Sequence, residues 1–178
     1  MLTNNQHTYG SISKLLHWLT AVLVIALLII GSYMVGLSDE DIWYYRSLDL
    51  HQITGIVVWL LMWLTLLWRL ITPPPQTLLT VGTWINRLRW LVHNLLKLMI
   101  LIQPVLGYLF ATSWGDPIEV YELFEIPALT EFSKRTSELI IDAHAYLAYS
   151  IAALITLHVL ATLKHHFIDR DAVLKRML

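Results

Sequence analysis

The sequence contains no cysteine. That absence excludes disulfides, thiolate-held iron–sulfur clusters and covalent C-x-x-C-H porphyrin attachment, so any metal group would have to be held by other side chains. Charge is also scarce: 14% of the 178 residues are Asp, Glu, Lys or Arg, and the formal net charge is −1. Such a chain carries no basic field for nucleic acid, and it has no Gly-rich phosphate loop and no nucleophile elbow. What it has instead is apolar length. Hydrophobic residues make up 57% of the chain and the mean hydropathy is +0.60, outside the range of an ordinary soluble domain. Residues 1–178 therefore read as a single integral membrane domain.

Four stretches lack Asp, Glu, Lys and Arg for about the length that crosses hydrocarbon: Leu15 to Val35, Leu50 to Trp68, Leu98 to Gly115 and Ala143 to Leu163. With their flanks they predict helices at roughly 13–36, 48–70, 89–114 and 138–166, the third with Lys97 snorkelling. The first stretch is too long for a signal-peptide core and has no small-residue cleavage site, so it reads as a retained span. The expected fold class is an all-α membrane protein, a four-transmembrane-helix bundle.

Lys and Arg divide by side. Lys14, Arg69, Arg87, Arg89, Lys164, Arg170, Lys175 and Arg176 fall on one side of the four spans, whereas the other side has only Arg46, Lys134 and Arg135 among many acids. Cationic loops are retained in the cytoplasm. Both termini are therefore expected inside. Pro73-Pro74-Pro75 predicts a stiff polyproline II strut in the inner loop. In the outer loop from Pro117 to Ser137, Val120, Leu123, Phe124 and Leu129 suggest a short amphipathic helix lying over the outer face. Trp43, Tyr44, Tyr45 and Trp114 outside, and Trp68, Trp84 and Trp90 inside, fit aromatic belts at the two interfaces.

Orientation gives each histidine a depth. His144 and His158 share one uncharged span, about 21 Å apart along the axis and on nearly the same face. An imidazole in hydrocarbon needs a partner. At the outer level only His51 can meet His144. At the inner level His158 can meet His17 or His93, and depth alone does not choose. His165 and His166 follow Lys164 at the headgroup level and read as surface residues, while His7 lies in a polar tail. Paired imidazoles from facing helices at two depths are what two non-covalent, bis-histidyl haem b groups require. A flat macrocycle also needs small neighbours, and Ala21, Gly55, Ala148 and Ala161 follow the four histidines by three or four residues. Arg46 is the natural outer cation for haem propionates, with Lys134 or Arg135 behind it; Arg69, Arg87 and Arg89 are inner candidates.

These features resemble the bacterial cytochrome b561 family of four-helix dihaem membrane proteins, which includes superoxide oxidase. The resemblance rests on Leu15-Leu16-His17-Trp18-Leu19, His51 with Gly55, Gln103-Pro104-Val105-Leu106-Gly107, His144, and Leu157-His158 leading into His165-His166. It implies that His17 pairs with His158 and His51 with His144 as axial ligands of the haem irons, leaving His93 as a neighbouring or quinone-site residue. It further implies oxidation of periplasmic superoxide to O2 with ubiquinone as acceptor. An apolar inner cleft near His93, Lys97 and Trp90 is the expected quinone region.

Two other readings stay open at the level of sequence. A cytochrome b anchor subunit, passing electrons from a hydrogenase or formate dehydrogenase to quinone, has similar helices and histidine placement, although extra docking segments are not obvious here. A His-based metal or proton transporter would use the same imidazoles, but two at each depth make an incomplete tetrahedral site.

Overall fold

The computed structural model describes residues 1–76, 82–120 and 124–178. Four helices carry the chain: α1 (Ser11–Met34), α2 (Ile42–Ile71), α3 (Thr83–Ala111) and α4 (Lys134–Phe167). All four are long and apolar enough to cross a membrane. Their large apolar side chains point outward along the whole length, Val22, Ile29, Leu60 and Leu160 among them. That is the surface of a bundle solvated by lipid, and the chain is a multi-pass membrane protein.

Several helices run further than hydropathy alone predicts. α2 starts at Ile42 rather than near 48, because Asp41 in extended conformation caps it, its Oδ1 accepting from the Trp43 amide at 2.8 Å. The polar first turns, with Arg46 and Asp49, are thus helical but stand outside the apolar run. α4 likewise starts at Lys134 behind a Ser133 cap whose side chain accepts from the Thr136 amide. At the start of α1, on the side of the bundle that carries both termini and is labelled inner in keeping with the charge count, an added Cβ on Gly10 would collide with the Leu2 and Thr3 backbone, which explains a glycine there.

The outer loop corrects one expectation. Instead of an amphipathic helix, Ile118–Val120 (β1) and Phe124–Ile126 (β2) form an antiparallel pair, with Glu119 opposite Glu125. Within each strand one acidic residue stands between two branched or aromatic ones, Ile-Glu-Val and Phe-Glu-Ile, a local alternation that suits a strand, and Pro117 and Pro127 bracket the segment. Ile118 and Val120 are buried, Phe124 is exposed, and Leu123 lies outside the described residues.

On the inner side the two tails and the strut are tied together. Arg176 donates from Nε to the His7 carbonyl and from Nη2 to the Gln76 carbonyl, and Asn4 Nδ2 donates to the carbonyls of Thr72 and Pro73. His7 thus serves through its backbone.

Within the bundle, α1 packs on α2 and α3 on α4, with α2 and α3 joining the two pairs. The core is a layer at mid-depth: Val24, Val58, Met62, Met99 and Ile151, with Leu147, Leu154 and Ile155 around them. Ile151 lies midway between His144 and His158, about 10 Å from each along the axis. Lipid is as apolar as these side chains, so close packing rather than exclusion of water holds the layer.

Candidate functional site

Above the apolar layer the structure brings His51 of α2 and His144 of α4 together edge to face, ring centroids 6.2 Å apart and planes inclined by 67°. Each ring rests on a glycine of a neighbouring helix. A Cβ added to Gly31 of α1 would lie 3.2 Å from His51 Cε1, and one added to Gly107 of α3 would lie 3.1 Å from His144 Cε1. His144 Nδ1 is 3.2 Å from the Gln103 carbonyl. A carbonyl can only accept, so Nδ1 carries the proton and Nε2 keeps its lone pair for a metal. His51 Nδ1 is buried without a hydrogen-bond partner.

Below the layer three imidazoles converge. The rings of His93 and His158 meet edge to face at 4.9 Å, and His17 lies within Coulombic range of His158. His93 Nδ1 bonds the Arg89 carbonyl of its own helix at 2.7 Å. By the same reasoning its Nε2 is the nitrogen with a free lone pair.

The family model for prokaryotic cytochrome b561 matches residues 8–178. The chain belongs to the prokaryotic cytochrome b561 family. It is similar to "Cytochrome b561 homolog 2" of Escherichia coli (strain K12), 36% identical over 176 residues that cover 99% of this chain and 94% of the relative. It is also similar to "Cytochrome b561 homolog 1" of the same organism, 29% identical over 92% of each chain.

Membership implies electron transfer by a membrane cytochrome with b-type haem, and the outer level fits that group. Imidazole nitrogens bind metal ions at about 2 Å, so two such bonds plus the inner half of each ring span a gap of the 6.2 Å seen here. One turn inward of His51, a Cβ added to the half-buried Gly55 would meet nothing within 4 Å, which leaves room for a flat macrocycle between helices. His51 Nδ1 stays unsatisfied in the bundle whether or not its Nε2 holds a metal. Some hydroxyls in the spans avoid that cost by bonding their own helix, as Ser32 does to Leu28 and Thr162 to His158, whereas Thr20 Oγ1 is buried without a partner.

The cations are less concentrated around the outer pair than their sequence positions suggest. The Arg46 guanidinium stacks over the Trp43 ring at 5.2 Å to the centroid, and Lys134 stands 4.0 Å from Glu138 in an exposed pair. On the inner side Lys97 Nζ donates to Asn94 Oδ1 at 3.3 Å, next to the exposed Trp90.

Two of the site's features lie outside what spacing along the chain suggested. Gly31, fourteen residues after His17, gives His51 its seat; its signal was a glycine at the outer depth of an otherwise bulky span. His165 is half-buried rather than on the surface, its Nδ1 2.7 Å from Asp171 Oδ2 and 3.1 Å from Asp169 Oδ2. Lys164 Nζ bonds both Asp169 oxygens, at 2.8 and 2.7 Å. The ammonium holds the Asp169 carboxyl below its ordinary value, first through this hydrogen bond and then through its charge. The cluster thus already has its cation, and it folds the tail back onto the inner end of α4.

Proposed function

We propose that the chain is a transmembrane cytochrome with two b-type haems, oxidising superoxide at its outer face and reducing ubiquinone in the membrane. In this reading His51 and His144 are the axial ligands of the outer haem, and His17 and His158 those of the inner one. The supporting observation is the outer pair: two glycine-seated imidazoles from different helices, edge to face at 6.2 Å, one with its outer nitrogen already committed to a carbonyl. Bound haem supplies a one-electron couple at each level.

The protein's contribution is spacing and exclusion. Each haem would be held by a pair of imidazoles, His51 with His144 and His17 with His158, and so would exchange electrons without binding superoxide or quinone at its iron. The layer around Ile151 keeps water out between the levels. Arg46 offers a cation on the outer side of His51 for a propionate or for superoxide, an anion. His93 and Lys97 give the inner side protonatable groups, with the exposed Trp90 beside lipid, as quinone reduction needs. The excess of Lys and Arg on the tails and inner loop supports an inner-membrane location with both termini cytoplasmic.

One observation favours a variant of the inner pair. His93, not His17, makes the close ring contact with His158, and its Nδ1 bond to Arg89 has the form usual for a metal ligand. In that variant His17 becomes the neighbouring group.

The test combines a reduced-minus-oxidised spectrum with stopped-flow mixing of superoxide and ubiquinone. The expected result is split low-spin b-type bands, with two superoxide ions and two protons consumed for each quinol and two O2 released. Quinol formation no faster than without protein overturns the superoxide assignment; absence of the bands overturns the haem ligands as well.

A further inference from the structure

Among the described residues, the outer imidazoles differ in one respect that the ligand reading leaves unused: His144 is gripped from both directions by a single residue of another helix. Gln103 receives the His144 Nδ1 proton on its backbone carbonyl at 3.2 Å and donates from its side-chain Nε2 to the His144 carbonyl at 2.9 Å. The two bonds run in opposite senses between α3 and α4, so together they fix both the height of His144 and the orientation of its ring. The local sequence suits this. Pro104 lacks an amide proton and removes one rung of the α3 ladder just after Gln103. Gly107, one turn on, lets the imidazole lie against the α3 backbone. In lipid a side-chain amide is costly unless it is used, and here the amide nitrogen is spent on α4 while Oε1 stays buried without a partner.

We propose that the Gln103 side chain is a positioning group for the outer haem ligand: its amide bond to the His144 carbonyl holds α4 at the height where the Gln103 backbone carbonyl meets Nδ1, which fixes the ring plane and leaves Nε2 free for a metal. This rests on the reading of His144 as an axial ligand. His51, with no bond at Nδ1, lacks such a device, so the outer haem would be anchored asymmetrically, from the α3–α4 side.

The test uses full-length protein purified with its haems and the substitution Gln103→Met, which keeps length and apolar packing but removes the donor. The expected result is an unchanged haem count, a shifted low-spin electron paramagnetic resonance signal for one haem only, and roughly tenfold faster transfer of that haem to apomyoglobin, the lower end of what loss of an outer partner causes at metal sites. Should Gln103→Met fail to accumulate, Gln103→Leu serves the same purpose. Signals and transfer rates equal to the parent's overturn the proposal, and so does equal acceleration at both haems, which reports general loosening. His144→Ala, run in parallel, separates the two ideas: if it retains every haem, the ligand reading itself falls, whereas loss of one haem beside an inert Gln103→Met removes only the role of Gln103.

Discussion

The outer level of the bundle holds two imidazoles from two helices, each seated on a glycine, and the inner level holds three from three helices, of which His93 and His158 are in closer contact. The contrast teaches how far depth can carry an assignment. With two histidines at one depth the partner is forced. With three, rings at the same height compete, and lateral placement decides which pair faces which.

The sharpest way to break the comparison is to remove the residues that α4 gives to each level. His144→Ala and His158→Ala should each eliminate one haem and leave about half the pigment, measured as pyridine haemochrome per protein; loss of both haems from either variant would show the levels to be one unit. Next comes the ambiguous level itself. His17→Ala should empty the inner site while His93→Ala leaves both haems in place, read from the same haem count. The reverse result would make the 4.9 Å contact of His93 with His158 the ligand pair.

A smaller effect is expected where the outer rings meet glycine. In Gly107→Ala the new methyl would sit 3.1 Å from His144 Cε1 and must push the ring aside. Overpacking of this kind costs about 1–3 kcal/mol, so a lowered melting temperature and partial loss of the outer haem are expected, with the inner one spared. The smallest effect concerns the inner-side tail. Asp169 has a depressed pKa from its bond to Lys164, so its contribution is present above the ordinary carboxylate value and is lost as pH falls through the lowered one. With no native cysteine to interfere, a nitroxide on Ala172→Cys should remain immobile at neutral pH and gain mobility only in acid below the ordinary carboxylate range. Lys164→Met should move that onset upward.

Much of this organisation is legible along the chain, though unevenly. The pairing of His51 with His144 follows from a rise per residue and a loop charge count, both local quantities. Gly55 was legible as a small residue one turn from a histidine, and the open space beside it agrees with that reason for its being small. Gly31 was not, because it serves a histidine on another helix and its spacing from His17 carries no signal. The outer hairpin was misread for a related reason. A few residues of Ile-Glu-Val and Phe-Glu-Ile fit both a short amphipathic turn and a strand, and the pairing partner that decides lies across the loop.

The sequence by itself determined that four apolar helices cross a membrane, the depth at which each intramembrane imidazole sits, and the lack of any thiolate chemistry. Those follow from helical rise, the cost of burying charge in lipid and simple composition. Only the tertiary structure decided which helices stand side by side, and with that the glycine seats, the two-way grip of Gln103 on His144, the crowding of His17, His93 and His158, and the fold-back of the tail. The physical reason is that hydropathy records how deep a residue lies but not the direction in which it faces its neighbours.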